Sequence, residues 1–156
     1  MTAGTRIAAL LLGTALAASA ASTASAQAPS DGKKIFGATC AACHQATGEG
    51  VPEKYPPLAG SEWVTGDEGR LVRVILHGRT GDVEVEGETF NGAMPAWGPT
   101  LSDPDIAAVA TYIRSSFGNK AAPVSAATVA QIRAATKSRT APWTVPELAQ
   151  VLQVKK

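Results

Sequence analysis

Five consecutive residues, Cys40-Ala41-Ala42-Cys43-His44, concentrate the reactive groups of this 156-residue chain. Two thiols three positions apart on a helical turn can each add to a vinyl group of the same porphyrin. The residue after the second thiol can then aim an imidazole at the porphyrin iron. Cys-x-x-Cys-His is the attachment signature of a c-type haem. Cys40 and Cys43 are therefore expected to form thioether links to one covalent haem c, and His44 to be the proximal iron ligand. They are the only two cysteines in the chain.

An iron held by His44 needs a sixth ligand or an open position. Met94 is the one methionine besides Met1. It lies in Asn91-Gly92-Ala93-Met94-Pro95-Ala96-Trp97. A thioether is a soft, neutral ligand that favours ferrous iron, and His/Met ligation raises the potential. Met94 is expected to be the distal ligand. Read instead as a core gap-filler, it leaves the surrounding loop unexplained. The only other histidine is His77. It reads as a cation near a helix C-terminus, favoured by the helix dipole, or as a second histidine ligand with Met94 left to packing.

These groups need elements to position them. Ser30 or Asp31 can cap a helix running to about Cys40. In it Gly32, Phe36 and Cys40 fall four apart on one face, and the glycine marks close approach by another helix. Residues 45–61 are rich in Gly, Pro and polar residues and read as loop. Thr65-Gly66-Asp67-Glu68 has the capping-box pattern, opening a helix through Leu71, Val74 and Ile75 that stops at Gly78. Residues 79–100 show no helical period; a small hairpin fits around Glu86-Gly87-Glu88. Ser102-Asp103-Pro104-Asp105 starts a long amphipathic helix with Ile106, Val109, Ile113 and Phe117 as its apolar stripe. After Pro123, Ser125 to Lys137 can form a helix with Val129 and Ile132 inward. Thr144-Val145-Pro146-Glu147 caps a last short one.

The chain opens as a secretory signal: Arg6, an apolar run from Ile7 to Ala18, then Ala24-Ser25-Ala26 as a cleavage site. Twelve helical residues reach only about 18 Å at 1.5 Å per residue, short of a bilayer core of about 30 Å. The expected organisation is a signal peptide over 1–26, a haem domain over 27–119 and a helical extension over 120–156. The mature protein is then exported to the periplasm with no transmembrane segment. Without Arg6 it has 13 basic and 13 acidic residues, a balance that argues against nucleic acid as a partner. The charges are segregated. Residues 44–105 carry eleven acids and four bases, and residues 114–156 carry seven bases and one acid.

Taken together, Cys40, Cys43, His44, the Met94-Pro95 loop and the capped last helix resemble class I cytochrome c in its bacterial periplasmic single-haem form, over roughly residues 31–117. The resemblance implies an all-α cytochrome c fold, three main helices around one covalently bound haem, followed here by the C-terminal helical extension. It implies that Gly32 and Phe36 meet the last helix near Val109 and Tyr112. It also implies that a proline carbonyl at Pro57-Leu58-Ala59-Gly60 accepts from the proximal imidazole, assigned to Pro57 with Pro56 as the alternative. Trp63 and Trp97 are candidates for the haem pocket or for plain core. The implied function is one-electron transfer between redox proteins, such as a periplasmic dehydrogenase, a terminal oxidase or other cytochromes, with no catalytic residue. Three other chemistries compete: a peroxidase-like or gas-binding haem protein with an open sixth position, a thiol oxidoreductase using Cys40 and Cys43, and a zinc site. Met94 argues against the first. His44 and the lack of a βαβ pattern argue against the second, and the missing fourth ligand against the third.

Overall fold

The computed structural model describes Met1 and residues 30–153; the expected signal peptide and its cleavage point near Ala26 lie outside the described residues. The first helix, α1, consists of three segments joined end to end: an α turn Gly32–Ile35, a π turn Phe36–Cys40 and a last turn Ala41–His44. Asp31 caps it by accepting from the Lys34 N–H at 3.1 Å. The wider π turn breaks the four-residue repeat. Gly32 and Phe36 therefore face a later helix, while Cys40 lines the central cavity. The three do not share one face.

A short turn, α2 (Glu62–Thr65), is capped by Ser61. The next helix, α3 (Glu68–His77), is capped by Asp67, which accepts from the Arg70 N–H at 2.7 Å. The cap expected at Thr65 is thus two residues out. Thr65 closes α2, its hydroxyl bonded to the Ser61 carbonyl. Residues Leu71 to Leu76 are all buried, and the helix stops at Gly78, φ 76°, a backbone conformation that suits glycine.

Strands β1 (Val83–Val85) and β2 (Glu88–Phe90) pair antiparallel, with Val83 opposite Phe90. Glu86 and Gly87 both take positive φ, 50° and 81°, which matches a tight turn to the twist of its strands. The hairpin amends the all-α expectation: the fold is mainly helical with one small sheet. It forms because Val83, Val85 and Phe90 bury together beside Trp63 and Val145.

Helix α4 (Asp103–Ser115) starts with the reciprocal Ser102–Asp105 box and an early proline, as its sequence predicts. It crosses α1 at Gly32. A Cβ there would stand 2.2 Å from the Ala108 carbonyl oxygen and 2.9 Å from the Tyr112 Cβ. Phe36 packs on Tyr112 and Phe117 with ring centroids 5.5 and 5.2 Å apart. Tyr112 is an expected partner of the crossing, and Val109 shares the core cluster of Phe36. One residue further round the helix from Ala108, Val109 also lines the cavity.

Two more helices follow Lys120: α5 (Ala126–Ala135) and α6 (Val145–Gln153). Val129 and Ile132 of α5 join the main core with Phe36, Val72, Leu76 and Ile106. Trp143 and Leu148 form a second cluster with Val74. Each aliphatic side chain so buried is worth roughly 1.5–3 kcal/mol, so this segment is packed structure rather than a loose tail. Among the described residues no helix is long and apolar enough to cross a membrane.

Candidate functional site

The end of α1, helices α3 and α4, and the loops around residues 55–58 and 92–97 enclose an apolar cavity of about 360 Å³. Cys40, Cys43, His44, Pro57, Trp63, Met94 and Trp97 all lie on its walls, so residues spread over half the chain meet in one space. His77 is not among the lining residues. It bonds the Thr136 hydroxyl at 2.7 Å and meets the Trp143 ring edge-on at 6.3 Å. Burial, then Arg139 and Arg133, lowers its pKa. It stands at the helix end as expected, and it is not a second ligand facing the cavity.

His44 ends α1 half-buried, and its Nδ1 lies 2.9 Å from the Pro56 carbonyl oxygen. A carbonyl only accepts, so Nδ1 carries the proton and Nε2 keeps its lone pair. The accepting carbonyl belongs to Pro56, not Pro57. The loop geometry decides this. Val51 and Tyr55 bond each other in both directions at 2.8 Å, and Leu58 and Ala59 N–H groups both donate to the Gly48 carbonyl. Between these two ties it is the Pro56 carbonyl that meets the imidazole. Burial lowers the His44 pKa, with the Pro56 bond opposing it. A neutral imidazole oriented through its other nitrogen is the form a metal requires. Cys40 and Cys43 are partly buried, and no disulfide joins them. Burial raises the Cys40 pKa, the Thr39 hydroxyl opposing and Cys43 adding. A disulfide oxidoreductase needs the reverse, a lowered thiol pKa.

The Met94 loop is tied to the end of α3. Met94 and Arg79 exchange backbone bonds at 2.9 and 3.0 Å, and the Trp97 and Gly98 N–H groups donate to the Ile75 and Leu76 carbonyls. Gly78 permits this approach, since a Cβ there would meet the Met94 carbonyl at 2.4 Å. Trp63 donates its indole N–H to the Glu84 carbonyl at 2.9 Å, under the Arg70 guanidinium.

Three functional residues escaped the sequence reading. Arg79 is 4% exposed and lines the cavity. Its guanidinium donates to the Gly81 and Gly92 carbonyls, and among the described residues no carboxylate pairs with it. Only its place just after a helix-ending glycine could have drawn notice. Asn119 donates to the Leu58 and Ile113 carbonyls at 2.8 Å and accepts from the Gly60 N–H, tying the 58–60 loop to α4. Arg114 similarly holds the Val64, Gly66 and Ala122 carbonyls.

An apolar cavity bearing two thiols, a neutral imidazole, a thioether and an unpaired buried cation suits a flat apolar macrocycle with acidic substituents. That is haem, and the helical fold around Cys-x-x-Cys-His defines a class I c-type cytochrome. The family model described as cytochrome c oxidase, cbb3-type, subunit III matches residues 27–113, more than half of the chain, and the chain belongs to this family. As a c-type cytochrome it carries covalently bound haem c and belongs to electron transport.

The chain is 43% identical to a cytochrome c-552 of Thermus thermophilus over 98 residues, 60% of this chain and 65% of that one. It is 38% identical over 114 residues to the fructose dehydrogenase cytochrome subunit of Gluconobacter japonicus, 69% of this chain and 23% of that one. The FixP subunit of a cbb3-type cytochrome c oxidase from a Bradyrhizobium species is 37% identical over 91 residues, 57% and 28% respectively. The match thus spans just under two thirds of this cytochrome c-552 and about a quarter of the two complex subunits. Among the described residues no group of three or more His, Cys, Asp or Glu gathers as a metal cluster.

Proposed function

We propose that the protein is an exported, periplasmic one-electron carrier with a single haem c, linked through Cys40 and Cys43 and ligated by His44 and Met94. The observation that carries this reading is the meeting of all four side chains on the walls of one apolar cavity. Haem c supplies a ferric/ferrous couple; the chain's residues tune and shelter it. His44 offers Nε2 because Pro56 holds its other nitrogen. Met94 offers a thioether that favours the reduced state. Arg79 supplies the cation for an acidic haem substituent. The main helices, with Trp63 and Trp97, exclude water from the apolar walls.

Ala41, Ala42, Ala93 and Ala96 are small residues beside the ligand positions, the last three exposed and Ala41 partly so. Their side chains let another protein approach closely, as small transient redox contacts require. Dehydrogenase and terminal oxidase subunits among the relatives support partners of those two kinds. The acidic excess of residues 44–105 favours a basic docking face and rates that fall as salt rises.

The test is the optical spectrum of the matured protein, ferric and ferrous, for wild type and Met94→Ala. A low-spin wild type with the far-red sulfur-to-iron band is expected. The variant is expected to lose the band and bind carbon monoxide readily. A high-spin wild type without the band overturns the Met94 ligation and brings an open-site haem enzyme or gas sensor forward.

A further inference from the structure

The Met94 loop is poor in anchoring side chains, since Ala93, Pro95 and Ala96 are small and none of them is buried. The segment after Lys120 supports it from two directions. On one side, Trp143 donates its N–H to the Gly78 carbonyl at 3.0 Å and accepts from the Thr80 N–H at 2.8 Å. Residue 79 is thus bridged by Met94 and by Trp143. The Trp143 ring is buried with Val74 and Leu148 in a cluster against which Met94 packs. On the other side, Arg133 of α5 reaches the chain just past the loop. It donates to the Gly98 carbonyl at 2.7 Å, the Leu101 carbonyl at 2.9 Å and the Asp103 carboxylate at 2.6 Å. The planar guanidinium fork serves all three acceptors in one geometry, which a lysine ammonium cannot reproduce.

We infer that the C-terminal segment supports the sixth iron ligand, and that Arg133 is a positioning residue that limits how readily Met94 leaves the iron. The inference rests on the proposal that Met94 is that ligand. Between Met94, held at Arg79, and Gly98, held by both Leu76 and Arg133, the chain has little slack. Met94 withdraws from the cavity only when one end opens, a local event with its own equilibrium separate from global unfolding. Arg133 sets the far end of that equilibrium by tying residues 98–103 to α5.

Imidazole added to the ferric holoprotein binds only where Met94 has left, so its apparent affinity follows the fraction of open loop. Arg133→Ala is expected to raise that affinity roughly 10-fold, the effect of losing a charge-assisted hydrogen bond at the end of the loop. Arg133→Lys keeps a charge towards Asp103 and should show a smaller rise, which serves if the alanine variant folds poorly. Val129→Ala hollows the buried face of the same helix and breaks no hydrogen bond. It should lower the denaturation midpoint yet raise imidazole affinity clearly less than Arg133→Ala does, because the guanidinium bonds to residues 98–103 remain. Equal imidazole binding in Arg133→Ala and wild type, or in Arg133→Ala and a Val129→Ala variant of matched stability, overturns the inference. A wild type without the far-red band shows instead that the ligand proposal itself has failed, and the inference falls with it.

Discussion

Prepared without haem, the chain has to keep an apolar space of about 360 Å³ at its centre or collapse around it. Residual cavities in protein cores cost about 24 cal/mol per Å³, which for this partly open one sets an upper bound of roughly 9 kcal/mol. Whole domains are stable by only about 5–15 kcal/mol, so the haem-free chain should lose most of its margin. Water entering through its open side leaves Leu71, Val74, Ile75, Val109 and Ile113 wetted, which forfeits their hydrophobic burial. Helices α3 and α4 meet across this space, so their packing should loosen first. The assay is a thermal and urea scan of haem-free chain beside holoprotein, followed by far- and near-ultraviolet circular dichroism. Partial helix content, a flattened near-ultraviolet spectrum and a broad transition are expected, the signature of lost packing with retained backbone structure. A sharp, cooperative transition within a few degrees of the holoprotein would refute the reasoning.

Three further changes test other parts of the fold. Gly50 has φ 70°, and a Cβ there would stand 2.3 Å from the Tyr55 carbonyl and 2.7 Å from the Pro56 carbonyl that holds His44. Gly50→Ala should therefore weaken that bond, make the imidazole a poorer donor and raise the reduction potential by on the order of 20–40 mV. An unchanged potential by redox titration, at unchanged stability, would count against this. Gly32→Ala should cost about 1–3 kcal/mol by overpacking the α1–α4 crossing, less up to about 1 kcal/mol regained by removing a helical glycine. A lower urea midpoint with an unaltered haem spectrum is the expected result. Arg139, then Thr144, holds the Glu147 carboxyl down from 4.5 to about 2. A depressed carboxylate adds stability above its unfolded value that fades as pH falls through the folded one. Glu147→Gln should thus be less stable than wild type at neutral pH, with the gap closing as acid titration approaches pH 2, and a gap that persists there would contradict the assignment.

Cys40, Cys43 and His44 announce their chemistry by spacing alone, because a haem attachment site is local: five residues on one helical turn carry it. The Ser102 box and the Gly78 stop were likewise readable, since caps are set by near neighbours in the chain. Three features were not. The π turn at Phe36–Cys40 leaves no pattern in the residues and yet turns Cys40 away from the face of Gly32 and Phe36. Pro56 and Pro57 are adjacent and chemically alike, so only the closed 48–58 loop decides which carbonyl meets His44. The burial of the hairpin depends on three apolar side chains finding Trp63 and Val145 far away in sequence.

The long polar side chains divide the two levels of information most sharply. From the chain alone, nothing singles out Arg79, Arg133 or Asn119, and the basic C-terminal segment can be a solvated helix, pack on the acidic core through Trp143 or meet a partner. Folded, each one closes a gap between backbone carbonyls from different elements, over separations of up to 61 residues. A haem-binding motif is written in side-chain order, which the chain states outright. Its support is written in carbonyl positions, which every residue supplies and which only the tertiary packing brings within reach of a guanidinium or an amide.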